Sequence, residues 1–371
     1  MSRPSRALPG LLALALAAPL AATMAGCTLG APPGFSSGDS WSFPLVGSLE
    51  GGQLVAPVKL HDQGPYLFII DPDAPYSIVD GALANELDLR TAIGPQFLDE
   101  SDTLRTTKTA EVLKIQLGTL TVKTRTFLIS DIGAYNTGGR QVRGVIGRDL
   151  LADSLVYGFD RDRAMGYLAT QKGFQTPGDA VVVSYELRKN RVPSGIHVVS
   201  RRLVDATIGG KTFTLHADLG EVPSQLRTKH WASAGLATIA VKRAMTDEVG
   251  TRREIDQGGV AGQVALGAAT ARDVLFVPYA DKRWDEQDVD GTLGLGFFAG
   301  YTVWTNFDDS VMYLSPRTDA DLTAERIARW GSDVLAGCKD PACTRAALLE
   351  PEPAPADALP EPPPAPPASP D

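Results

Sequence analysis

The residue types able to do chemistry in this chain are carboxylates standing at the ends of buried-looking strands. The apolar run Leu67-Phe68-Ile69-Ile70 ends at Asp71, where the chain turns through Pro72-Asp73-Ala74 before an apolar stretch resumes. A second run, Leu215-His216-Ala217, ends at Asp218 and turns through Leu219-Gly220-Glu221. A carboxyl group held at such a turn can exchange a proton with a bound substrate, and it is equally suited to closing the turn's own hydrogen bonds. Spacing adds what residue type leaves open. Leu89 lies 18 residues after Asp71, and Leu236 lies 18 after Asp218. Gly144-Val145-Ile146-Gly147 begins 73 residues after Asp71, and Gly291-Thr292-Leu293-Gly294 begins 73 after Asp218. A Phe-Asp pair follows each, at Phe159-Asp160 and Phe307-Asp308, one residue out of step. Repetition of this kind marks two copies of one structural unit.

The elements that must position these residues read as strands. Leu54 to Leu60, Leu67 to Asp71, Val112 to Leu117, the alternating stretch Leu120 to Leu128, Val181 to Tyr185, Leu203 to Ile208 and Val274 to Val277 are short apolar or alternating runs. Gly, Asp and Pro signals separate them, which predicts an all-β architecture. Helical spacing is confined to Ala82 to Leu89, the neighbourhood of Trp231, and Thr323 to Leu335, where Ile327, Trp330 and Val334 recur at three and four. The last is expected to pack as a C-terminal helix.

Each unit resembles a lobe of an aspartic peptidase of the pepsin and retropepsin type. That family's pattern is an apolar strand into Asp-Thr-Gly-Ala/Ser, a short helix, a flap hairpin, and later two apolar residues and a glycine that pass behind the aspartate loop. Gly144-Val145-Ile146-Gly147-Arg148-Asp149-Leu150-Leu151 and Asp290-Gly291-Thr292-Leu293-Gly294-Leu295-Gly296-Phe297-Phe298 match the later element, and the likeness covers Trp41 to Pro316. The resemblance implies two tandem β lobes, 41–172 and 173–317, with Asp71 and Asp218 facing each other as a catalytic dyad. Pro72, Asp73, Ala74, Leu219, Gly220 and Glu221 would border the cleft. Gly144, Ile146, Gly147, Gly291, Leu293 and Gly294 would lie behind it. Two carboxylates so close cannot both ionise and hold one proton between them. One acts as base toward a shared water while the other donates to the substrate carbonyl. A chain carrying both lobes needs no dimer, no metal and no cofactor, and its substrate would be an extended peptide bound between flaps at about 96–108 and 246–259 through backbone hydrogen bonds.

The chain departs from the pattern inside the loops. The family's threonines lock the two loops together by accepting each other's backbone N–H; here the positions hold Pro72 and Leu219, which have no hydroxyl, and Pro72 has no N–H. Both bonds of that lock are expected to be lost. Asp73 stands where the family has glycine and adds a third negative group, which is expected to raise the cost of ionising Asp71, whereas Gly220 is kept. Pro75 and Val222 replace the hydroxyls that touch the outer carboxylate oxygens, and Ser77 and Ser224, further on, are expected to cap or line the next helix. Two readings follow: an aspartic peptidase aligned by other means, or a non-catalytic scaffold whose cleft holds a peptide or an envelope-protein segment.

The ends of the chain place it. Arg3 and Arg6 precede the apolar run Leu11 to Leu16, and Met24-Ala25-Gly26-Cys27 resembles a bacterial lipobox. Residues 1–26 are read as a lipoprotein signal peptide, Cys27 as the lipidated first residue and 27–40 as a flexible tether. The expected location is the cell envelope, with Thr28 favouring the outer membrane and the lipid as the only membrane contact. Residues 318–348 should hold the helix and a small loop closed by a Cys338–Cys343 disulfide, and 349–371 a disordered Pro-rich tail. With 35 Lys and Arg against 44 Asp and Glu, the net charge of −9 and the lack of a basic block exclude nucleic acid as a partner. His61, His197, His216 and His230 are scattered without metal spacing. His216 shares the strand face of Asp218 and is read as a packed histidine. The segment Asp281 to Asp288 is read as a solvated loop, with Trp284 at a cleft border.

Overall fold

Apolar and β-branched residues dominate the short runs between turn residues, and the chain accordingly folds predominantly as β-strands. The computed structural model describes residues 35–317 except 47–52, 99–102, 133–135, 138–139, 153–154, 190–199 and 247–251. The leader, Cys27, the expected C-terminal helix, Cys338, Cys343 and the Pro-rich tail lie outside the described residues.

Three sheets make the fold. A ten-stranded sheet belongs to the N-terminal half, in the order Arg90–Leu98, Leu104–Val112, Arg125–Ser130, Ile78–Asp80, Arg140–Ile146, Gln63–Ile70, Val55–Leu60, Ile115–Leu117 and Leu120–Val122, with Asn136–Thr137 paired on Arg140–Ile146. An eight-stranded sheet belongs to the C-terminal half, in the order Glu186–Lys189, Ser200–Ile208, Lys211–Ala217, Gly291–Leu293, Ser224–Leu226, Ala269–Pro278, Arg252–Leu266 and Ala237–Thr246. The third, six-stranded, takes Ser40–Pro44, Met165–Thr170 and Leu155–Asp160 from the first half and Tyr301–Asn306, Val311–Pro316 and Val181–Ser184 from the second. The halves join edge to edge where Val156 pairs Asn306 and Phe159 pairs Val303, antiparallel.

The repeat seen in the spacing is a repeat of topology. In the first half Arg140–Ile146 inserts between Gln63–Ile70, which it meets in parallel, and Ile78–Asp80, which it meets antiparallel. In the second, Gly291–Leu293 inserts in the same senses between Lys211–Ala217 and Ser224–Leu226. A crossover strand slotted beside the aspartate strand explains why the two glycine elements sit at equal distance from their aspartates.

Two expected strands break. Val112 to Leu117 divides at Leu113-Lys114, because Val112 pairs Arg125 whereas Ile115–Leu117 pairs Val58 to Leu60. The alternating stretch from Leu120 likewise divides, Leu120–Val122 returning on Ile115–Leu117 and Arg125–Ser130 on Leu104–Val112. The helix expected over Ala82 to Leu89 is shorter, Gly81–Glu86, and the region near Trp231 is a single 3₁₀ turn, Thr228–His230. No described helix is long and apolar enough to cross a membrane. One buried apolar cluster, including Phe68, Ile70, Tyr157, Leu215, Phe297 and Leu314, runs through both halves and ties them into one body.

Candidate functional site

Both aspartates hang from the same backbone scaffold. The Asp71 N–H donates to the Ile146 carbonyl at 2.9 Å, and the Asp218 N–H to the Leu293 carbonyl at 3.0 Å. Asp71 Oδ1 accepts from the N–H groups of Asp73 and Ala74 at 2.8 and 3.1 Å. Asp218 Oδ1 accepts from Gly220 and Glu221 at 2.8 and 3.0 Å. Ser77 and Ser224 are not helix caps: their hydroxyls accept from the N–H groups of Gly147 and Gly294 at 3.0 and 3.1 Å, while Asp80 caps Gly81–Glu86. The glycine elements therefore pass directly behind the loops. At Gly147 a Cβ would lie 2.5 Å from the Tyr76 carbonyl carbon, so no side chain fits there.

Carboxylate oxygens of Asp71, Asp73 and Asp218 lie within 4.8 Å of one another. Asp71 and Asp218 are partly exposed and Asp73 is buried beneath them. A Cβ on Gly220 would stand 2.0 Å from Asp71 Cγ, so the first carboxyl rests on the backbone of the opposite loop and glycine is required there.

The loops are nonetheless locked, which corrects the expectation that both cross-loop bonds are lost. The Leu219 N–H donates to Asp73 Oδ2 at 2.8 Å. Asp73, two residues beyond Asp71, thus supplies the acceptor that Pro72 lacks, using a carboxylate in place of a hydroxyl. Its charge is matched from the other half. Arg202 Nε donates to Asp73 Oδ1 at 3.1 Å and its Nη2 pairs with Oδ2. Arg202 also donates to Thr305 Oγ1 at 3.0 Å and lies 5.1 Å from the Phe307 ring centre, so this one guanidinium joins the first aspartate loop, the eight-stranded sheet and the six-stranded sheet. Arg148, from the first half, donates to the Ser200 carbonyl at 2.9 Å and to the Pro72 carbonyl at 3.2 Å. Gln53 donates to the Gly220 carbonyl at 3.0 Å. Arg202 and Arg148 carried no site signature in the sequence; the only signal for Arg202 is the consecutive pair Arg201-Arg202 leading into the run Leu203 to Ile208.

His216 completes the cluster. It is buried, with Nε2 3.2 Å from Asp73 Oδ1 and Nδ1 3.5 Å from Asp218 Oδ2. Burial acts to raise the Asp73 pKa, but the Arg202 guanidinium and then the His216 hydrogen bond outweigh it and hold Asp73 below the ordinary carboxylate range. Asp218 moves oppositely: burial, then the charges of Asp73, Asp71 and Glu221, push it well above its ordinary value. Burial, then the Arg201 charge, presses His216 down to about 4 against the pull of Asp73. The third carboxylate thus weighs on Asp218. An acidic trio can also enclose a cation, but both Asp73 oxygens already have partners and Arg202 supplies the counter-charge.

Each half also presents an antiparallel hairpin where a flap is expected, Arg90–Leu98 with Leu104–Val112 and Ala237–Thr246 with Arg252–Leu266. The first touches its aspartate loop through Phe97 against Tyr76, ring centres 5.7 Å apart. The second does so by a polar chain: Arg253 donates to Gln225 at 3.0 Å, and Gln225 to Glu221 at 2.7 Å. The segment read as a solvated loop is instead a 3₁₀ helix, Lys282–Gln287. Trp284 is buried within it rather than bordering a cleft, and Asp281 is buried in an ion pair with Arg201 at 2.5 Å. The chain matches no protein-family model and has no significant match among curated proteins, so its functional reading is carried by this geometry.

Proposed function

We propose that the chain is an aspartic endopeptidase-like hydrolase of the envelope, built as two acid-protease lobes with Asp71 and Asp218 as the dyad. The observation that carries this reading is the meeting of the two carboxylates, each fixed by two backbone N–H groups, at a partly exposed surface between two hairpins. Asp218, whose pKa is raised by burial and by neighbouring negative charge, holds the proton. Asp71 is then the base. A water bound between them loses its proton to Asp71 as its oxygen attacks the peptide carbonyl, and Asp218 gives its own proton to the carbonyl oxygen. The resulting tetrahedral diol collapses with a proton passed to the leaving amine.

The lock through Asp73 supports activity, because preorganised alignment supplies much of an enzyme's acceleration. A substrate would lie as an extended strand along the hairpins, presented to the lipid-free face of a protein tethered by Cys27. The second reading, a non-catalytic cleft that retains a peptide or envelope protein, is favoured by Pro75 and Val222, which offer no hydroxyl to the outer carboxylate oxygens. Cleavage of a diverse unstructured peptide library by the purified core, from acidic to neutral pH beside Asp218→Asn, separates them. The peptidase reading expects cleavage that the variant loses; a folded protein that cleaves nothing at any pH leaves the binding reading.

A further inference from the structure

The charge cluster behind the dyad fixes where one proton must sit. Asp73 is ionised and bound to Arg202, and an ionised carboxylate only accepts hydrogen bonds. The atom that faces its Oδ1 at 3.2 Å must therefore carry hydrogen, which makes His216 Nε2 the protonated nitrogen. The groups that face the ring are Asp73 from the first loop, Asp218 at the end of its own strand, and Arg201 and Arg202 from the adjacent strand Ser200–Ile208. On its other side the strand partner is Thr292, which is uncharged. Two guanidiniums and burial keep the imidazole neutral, and a neutral imidazole has one N–H. Nδ1 is then a bare lone pair, and no donor among the described residues hydrogen-bonds to it. It stands 3.5 Å from Asp218 Oδ2. Two acceptors facing each other with so little water are repulsive, whereas a proton on one of them makes the contact a hydrogen bond.

We propose that His216 is a positioning residue that holds the Asp218 proton on Oδ2, in a chain Arg202–Asp73–His216–Asp218 that makes the two aspartates inequivalent before any substrate binds. In the resting protein the Asp218 proton faces His216 Nδ1 and Asp71 is left as the acceptor for water; when Asp218 acts as the acid, that proton exchanges the imidazole nitrogen for the substrate carbonyl oxygen as its acceptor. The hydroxyl lost at Val222 has a nitrogen in its stead, reaching the carboxyl from the strand side. The part this chain plays in hydrolysis rests on the peptidase reading; the existence of the chain does not.

The test is nitrogen and proton NMR of the His216 ring in the lipid-free core, with peptide cleavage measured on the same sample. The expected result is a hydrogen coupled directly to Nε2 and none to Nδ1, unchanged between pH 8 and 5. A downfield carboxyl proton should accompany it and vanish in Asp218→Asn. A hydrogen coupled directly to Nδ1 at neutral pH, or a ring that titrates near 6.5, overturns the proposal. Because wild-type protein alone decides the tautomer, a misfolded variant cannot mask the answer. The expected tautomer without cleavage would leave the proton chain standing and end the hydrolytic reading; cleavage with a protonated Nδ1 would do the reverse.

Discussion

The loops Asp71-Pro72-Asp73-Ala74 and Asp218-Leu219-Gly220-Glu221 make matching backbone hydrogen bonds and differ in what their third residue does. Gly220 provides space, letting the Asp71 carboxyl lie against the opposite main chain. Asp73 provides charge, drawing in Arg202 and His216 from the other half and accepting the Leu219 N–H. A symmetric scaffold thus carries an asymmetric lock. The difference teaches that the alignment of two loops can be kept by an ion pair where hydroxyls are absent, provided a buried cation arrives from the facing unit.

Removing either end of the comparison should have the largest effect. Asp71→Asn and Asp218→Asn are each expected to lower peptide cleavage by about a thousandfold or more, the scale of losing a general acid or base, as read from initial rates. Arg202→Met strands the Asp73 charge in a buried site and is expected to cost about 3–5 kcal/mol in urea unfolding. Adding Asp73→Asn to it should restore part of that loss, and failure to do so would mean that Arg202 acts by packing alone.

The next effect is in the pH dependence of stability. The folded-state pKa of His216 lies near 4, below its ordinary 6.5, so its contribution is intact above 6.5 and is lost as pH falls toward 4. That amounts to about 3 kcal/mol at 1.36 kcal/mol per unit. Asp218, whose pKa is raised, acts in the opposite sense, its stabilisation being lost as pH rises from 3.8 toward the raised value. Asp73, lowered, holds its contribution above 3.8 and loses it only below, so it adds no slope here. Between pH 4 and 6.5, His216→Gln should therefore flatten the acid-side loss while Asp218→Asn steepens it, in denaturation midpoints across pH. Smallest is Gln53→Ala, which removes the hydrogen bond to the Gly220 carbonyl and should cost about 1 kcal/mol, with cleavage changed less than stability.

What was legible in the sequence was what recurs along the backbone. Asp71, Asp218 and the elements at Gly144 and Gly291 stand at equal intervals because a crossover strand must return beside the aspartate strand, and an interval survives changes of side chain. The lock was misread for the complementary reason. Asp73 alone is an unfavourable charge, and it becomes a fastener only with Arg202, 129 residues away, which no periodicity announces. Local composition misled in the same way at Asp281 and Trp284. A dense run of charges looks solvated until Arg201 arrives across the fold to pair the acid and cover the ring, 5.3 Å from its centre. Strand alternation set His216 on the face of Asp218, but gave no sign of its second carboxylate partner, Asp73, which comes from the other half.

The six-stranded sheet makes each half the cover of the other's edge. Either half alone would end in an open strand, Leu155–Asp160 or Tyr301–Asn306, with a row of unsatisfied amides and apolar side chains such as Val156, Tyr157 and Val303 along it. A chain nicked between Thr170 and Val181 should for the same reason yield fragments that reassociate rather than fold apart.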